Sequence, residues 1–121
     1  MGYREVVSLN QVIRGIKRQV SKNIPRAKKV VLTKIAKDSE NRIPYKTGNL
    51  TASLKVVSDS ALEFTADYAE YPIKGVSRSG APMEYNREYH SEACSYPVET
   101  TFETNFYEYK DMFEKEVLRD V

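Results

Sequence analysis

The chain has 121 residues, 40% hydrophobic and 30% charged, with a net charge of +2 and a single cysteine, Cys94. This is the size of one domain with a small core, and its apolar runs fall far short of the ~20 residues that a membrane span requires. A lone cysteine excludes an internal disulfide and a cysteine-rich zinc site, and Arg4, Glu5 and Arg14 interrupt any apolar signal segment, so a reducing cytoplasm is the expected place of synthesis.

The modest net charge conceals a strong polarity. Residues 1–55 hold thirteen Lys/Arg against three acids, and residues 56–121 hold six bases against fourteen acids. A basic N-terminal part can meet nucleic acid or the acidic part of a neighbouring copy. It can also be the solvated face of a lysine-rich helix, and composition alone does not choose among the three.

Ser8 stands where an N-cap would, ahead of Leu9, Val12, Ile13, Ile16 and Val20 at three- and four-residue steps. That spacing predicts an amphipathic helix. Ile24-Pro25 predicts a kink or break, because proline removes a helical hydrogen bond and clashes with the preceding turn. Asn23 would then cap a second helix with Ala27, Val30, Val31, Ile35 and Ala36 on its apolar side. Pro44 predicts the end of the helical region, residues 8–42, near Arg42 or Ile43.

Alternation then replaces the helical period. Leu54 and Val56, followed by Leu62, Phe64 and Ala66 across a turn at Asp59-Ser60, predict an antiparallel hairpin within residues 50–74 with one buried face. Tyr68 to Tyr71 would extend it, and Pro72 would mark a strand end or edge. Residues 75–95 lose all periodicity and predict a long loop, expected to order against a partner. Thr100 with Glu103 has capping-box spacing, and Phe102, Phe106, Tyr109, Phe113 and Val117 predict a C-terminal helix over residues 101–119. The expected fold is a single α+β domain spanning residues 1–121: N-terminal helices, a small antiparallel sheet, a long loop and a C-terminal helix.

Residue patterns for catalysis are weak. His90 and Cys94 are four apart, yet each is the only one of its type and no third ligand follows by spacing. Glu84, Glu88 and Glu92 read as a solvated face, and Lys46-Thr47-Gly48 lacks the upstream glycine of a phosphate loop. Neither enzymatic activity nor a cofactor or metal is expected. Seven of the nine tyrosines lie in the acidic second half. Nucleic-acid stacking pairs aromatics with positive charge, so these tyrosines suit protein contacts better.

Pro44, Thr47, Gly48, Leu50 and Ser53 form a proline-x-x-threonine-glycine-x-leucine-x-x-serine pattern, and Tyr68-Ala69-Glu70-Tyr71 leads to Gly75. This combination, over residues 42–75, resembles the tail-completion or minor capsid proteins in the neck of tailed double-stranded DNA bacteriophages. In that family the motif joins a long N-terminal helix to a hairpin, with proline ending the helix, glycine supplying a positive φ and leucine entering the core. Two departures are the Pro72-Ile73-Lys74 segment, where the family usually has an acid, and the lack of tryptophan. The resemblance implies a virion protein made in the host bacterial cytoplasm, with no membrane partner. It would be a ring subunit, commonly hexameric, between the capsid connector or head-completion protein and the tail-terminator or tail-tube protein. Genome DNA would pass through the ring without sequence-specific contact. Arg26, Lys28, Lys29, Lys34 and Lys37 are then candidate contacts to DNA or to an adjacent subunit, and residues 75–91 with the C-terminal segment are candidate assembly contacts. The alternative class is a small nucleic-acid-binding protein that sets its basic N-terminal helices on phosphates.

Overall fold

A computed structural model describes residues 2–5, 9–58 and 61–121; Ser8 and the Asp59-Ser60 turn lie outside them. The order of elements is α1 (Leu9–Ser39), a 3-10 turn (Glu40–Arg42), α2 (Asn49–Ala52), β1 (Leu54–Ser58), β2 (Ala61–Phe64), α3 (Glu70–Lys74), α4 (Pro97–Thr104) and α5 (Phe106–Val117). The fold is α+β, with the long first helix as its spine.

Of the kink or break expected at Pro25, the break is absent: α1 runs for 31 residues with Pro25 inside it. Asn23 does not cap a second helix. It is buried, and its amide nitrogen donates to the carbonyls of Val117 at 2.9 Å and Arg119 at 2.6 Å. The Val117 carbonyl is among those that the end of α5 leaves without intrahelical partners, and Arg119 follows just past the helix. Tertiary packing on both sides of Pro25 outweighs the local cost of the proline. Ala27, Val31, Ile35 and Ser39 are buried at four-residue steps, so one stripe of α1 faces the core below the proline. Val30, expected on that side, is exposed. The 3-10 turn and an extended Ile43 (φ −74°, ψ 128°) end the helix as Pro44 demands.

β1 and β2 pair antiparallel as Leu54 with Phe64, Lys55 with Glu63 and Val56 with Leu62. The register then slips, so that Ser58 faces Ala61 and Val57 is the extra residue of a bulge. Val56 and Val57 are both exposed, so the hairpin's inner face rests on Leu54, Leu62 and Phe64 alone. Two small cores result. Val31, Ile35 and Tyr109 form one, with Leu62, Val98, Met112 and Phe113 against it. Ile43, Leu50 and Ala69 form the other, with Leu54, Phe64, Ala66 and Ile73.

Two further expectations are corrected. Tyr71 lies in the helix α3, not in an extended strand, with Pro72 at its third position, where no intrahelical N–H bond is due. The C-terminal segment is two helices that meet at Asn105 (φ −109°, ψ 23°). Its first helix starts at Pro97, ahead of the Thr100–Glu103 pair, with Pro97 at the favoured first position.

Candidate interaction surfaces

The motif residues divide into a buried set and a displayed set. Gly48 adopts φ 84° and precedes α2, a conformation that costs other residues ~1–2 kcal/mol. Leu50 and Ala69 close on Ile43 in the second core. The Ser53 hydroxyl donates to the carbonyl of Leu50 at 2.8 Å, while its own carbonyl accepts from the N–H and the hydroxyl of Thr65, each at 2.9 Å. Gly75 (φ 76°) ends α3.

Pro44, Thr47, Leu50, Tyr68 and Tyr71 also line one open groove of about 610 Å³, closed on its other side by Met83 and Tyr85 of the long loop. Sequence reasoning gave this motif only a folding role. The available signal was tyrosine recurring at positions 45, 68, 71 and 85, four side chains that share this groove.

The long loop orders against its own chain. The Tyr85 hydroxyl donates to the Pro72 carbonyl at 2.8 Å, the Cys94 N–H to Arg42 at 3.1 Å and the Tyr96 N–H to Ile73 at 2.8 Å. Asn41 bonds the Ser91 hydroxyl and the Glu92 carboxylate. His90 Nδ1 lies 2.7 Å from the Ile43 carbonyl. A carbonyl only accepts, so Nδ1 carries the proton and donates it. The imidazole also packs edge-on against Tyr45. His90 thus serves the close of the helical region, and Cys94 joins the same junction through its backbone. Among the described residues no three His, Cys, Asp or Glu side chains come together as metal ligands.

The five candidate basic residues are not one free patch. Lys34 sits 2.9 Å from the Asp38 carboxylate, whose hydrogen bond and charge raise the Lys34 pKa. Arg26 stands 4.0 Å from Glu116. Lys28 is half-buried, whereas Lys29 and Lys37 are exposed. Asp38 also accepts from the Tyr109 hydroxyl at 2.7 Å. Burial opposes ionisation of Asp38, but the hydrogen bonds from Lys34 and Tyr109 and the charges of Lys34 and Lys37 prevail and lower its pKa. Tyr109 is pushed up to about 12, by burial first, with the Asp38 carboxylate adding to it against the hydrogen bond from Asn105.

Among the described residues two apolar faces remain uncovered. Leu9, Val12, Ile13 and Ile16, the apolar stripe expected of an amphipathic helix, are 67%, 57%, 47% and 44% exposed. At the other end of the molecule Phe102 and Phe106 are exposed too, with Tyr107 beside them. Their rings form one cluster, Phe102 to Phe106 and Phe106 to Tyr107 both at 5.6 Å between centroids. Exposed apolar residues that gather into a patch, rather than scatter, mark interaction sites.

No described helix is long and apolar enough to cross a membrane. Comparison with protein-family models, curated proteins and solved structures returns no match.

Proposed function

We propose that this chain is a structural subunit of a tailed-bacteriophage neck, one of a ring that joins the capsid connector to the tail. The observation that carries the reading is the arrangement of the motif. Pro44 to Ser53 turns a long helix into a hairpin through Gly48, and its displayed side chains line an aromatic groove. The turn from helix to hairpin is the role which the resemblance assigns to these residues; the groove is an added feature of this chain. Exposed apolar faces at two ends of the chain support an assembly protein. The ring's neighbours are then the connector or head-completion protein and the tail-terminator or tail-tube protein, with genome DNA in the channel. Lys29 and Lys37 suit either DNA or an adjacent subunit, and residues 75–91 offer a further contact beside the groove.

The test is the solution mass of the purified protein over a wide concentration range at low and moderate salt, followed by addition of a phage connector. Closed rings, or capture by the connector, are expected. A protein that stays monomeric in both conditions and binds no connector overturns the reading.

A second reading, a nucleic-acid-binding protein, is favoured by one observation: residues 9–26 of α1 carry five bases and no acid. It expects the monomer to bind DNA with an affinity that falls steeply with salt.

A further inference from the structure

α1 and α5 run side by side in opposite directions. Tyr109, early in α5, meets Asp38 near the end of α1, and the α5 carboxyl end meets Asn23. The partner helix therefore stops level with Asn23, and α1 continues beyond it to Leu9. At 1.5 Å per residue this projection is ~21 Å long. It presents Leu9, Val12, Ile13 and Ile16 on one stripe, all exposed. Around the stripe stand Arg14, Lys17, Arg18 and Lys22, none with a salt bridge among the described residues. An isolated helix of this length is marginal in water, and packing on a partner is what stabilises such segments.

The aromatic face of α4 and α5 has the complementary character. Phe102, Phe106 and Tyr107 are exposed, and residues 97–117 hold six acids against two bases. Glu99, Glu103 and Glu108 are solvent-exposed among the aromatics. This face lies at the far end of the spine: Arg42 bonds Thr101 of α4 at 2.9 Å, and Tyr109 reaches Asp38. From Ile13 to Asp38 along α1 is ~38 Å. A continuous helix cannot fold its own beginning back onto that face.

We infer that the N-terminal projection of α1 docks on the α4–α5 aromatic face of a second copy of this chain. The contact is head-to-tail: apolar stripe on aromatic cluster, flanked by arginine and lysine against glutamate. A heterologous contact of this kind leaves the growing assembly with one free half at either end, so it propagates, and it closes into a ring where the rotation between copies allows. The inference rests on the ring reading above and names the surfaces that would build the ring. Charge complementarity fixes orientation and makes the association salt-sensitive.

Two crippled chains test it. Ile13→Asp with Ile16→Asp spoils the projection alone, and Glu103→Lys with Phe106→Asp spoils the face alone. All four positions are exposed, so both variants should keep the thermal midpoint of the parent. Arg14→Glu with Lys17→Glu, and Glu99→Lys with Glu103→Lys, serve as charge-only versions. Each variant should associate roughly tenfold or more weakly than the parent. An equimolar mixture of the two should stop at a one-to-one dimer, because only one good projection and one good face remain. Joining both charge reversals in one chain should restore growth.

If the projection variant assembles as the parent does, this contact is wrong while the ring reading stands. If the variants fail alone and also fail to form the mixed dimer, the head-to-tail pairing is overturned. If the projection variant instead loses binding to anionic vesicles with assembly unchanged, the stripe is a membrane-surface helix and the inference falls. If the parent itself never associates at concentrations up to about 1 mM, this contact is overturned; the ring reading falls with it only if the connector also fails to bind.

Discussion

The hydroxyl of Tyr109 donates a 2.7 Å hydrogen bond to the carboxylate of Asp38, which also holds the Lys34 ammonium at 2.9 Å. Tyr109 is 2% exposed and sits in the core with Val31 and Ile35. The ring therefore packs while its hydroxyl ties α5 to α1. Tyr109→Phe keeps the packing and loses the bond, at a cost of about 1.5–3 kcal/mol for a charged acceptor. Tyr109→Ala loses both and should cost about 3–5 kcal/mol. Urea denaturation with an unchanged slope would check the order of the two.

The same pair predicts loss of stability at both ends of the pH scale. The Asp38 pKa is lowered in the folded state, so its contribution is present above its ordinary value of 3.8 and disappears as pH falls through the depressed one. The Tyr109 pKa is raised from 10.0 to about 12. Its contribution is complete below pH 10 and fades as pH climbs from 10 towards 12, where the unfolded phenol ionises first. Thermal midpoints of the parent and Tyr109→Phe should converge over that alkaline window. Curves that stay parallel to pH 12 would show that the phenol's proton is not linked to folding.

Asn23 closes the end of α5 from the middle of another helix. Its amide nitrogen meets two carbonyls, and its oxygen accepts from Gln19 at 3.1 Å. Asn23→Ala should cost about 1–3 kcal/mol, the usual penalty for orphaned buried polar groups. Asn23→Asp should be worse at neutral pH, because a carboxylate would then face two carbonyl oxygens with no donor to offer. Acidifying should recover part of that extra loss. A chemical-denaturation series at two pH values decides it, and an aspartate variant no weaker than alanine would remove the capping role.

Hydrophobic period located the apolar side of each helix but could not say what covers it. The stripe of Ala27, Val31 and Ile35 and that of Leu9, Val12, Ile13 and Ile16 read alike in sequence. Only the first has α5 beside it, because α5 stops level with Asn23. Phe102 and Phe106 look like core for the same reason and lie outside it. Proline was legible where local sterics decide, at Pro44, and misleading at Pro25, where an amide 94 residues from Val117 and a packed stripe hold the helix together. Pro72 misled in another way: it suits the first turn of a short helix as well as a strand edge. Gly48 and Leu50 were readable because a positive φ and a core leucine are local requirements. The groove was not, since Tyr68, Tyr71 and Met83 share it only through the path of the loop.

Gly75 separates backbone conformation from space. Its φ is 76°, and a Cβ there would come within 2.8 Å of the Tyr85 hydroxyl and 3.3 Å of the Ser95 Cβ. At Gly48 (φ 84°) the nearest atom to such a Cβ is Tyr45 Cε2 at 3.4 Å, an ordinary contact. Gly48→Ala should therefore cost about 1–2 kcal/mol for the left-handed conformation alone. Gly75→Ala should cost more, because it also displaces the bond from Tyr85 to the Pro72 carbonyl. Adding Tyr85→Phe should make Gly75→Ala less harmful than in the parent, a coupling that a double-mutant cycle measures. Additive effects would mean that Tyr85 moves aside freely.

Gly15 lies on the projecting part of α1, and a Cβ there would meet nothing within 4 Å. Glycine within an exposed helix is less favourable than alanine by about 0.8–1 kcal/mol. Gly15→Ala should thus raise the helical content of the projection while leaving the body's thermal midpoint nearly unchanged, because the added methyl meets no other part of the chain. Amide hydrogen exchange separates the two regions: protection should rise at residues 11–19 and stay constant at Ala27, Val31 and Ile35. If the projection packs on a neighbour as inferred, prior ordering of the helix should also tighten association, since less conformational entropy is then lost on docking. Weaker association in Gly15→Ala would instead mean that a neighbouring chain approaches the backbone closely at Gly15, and it would place that position inside the contact.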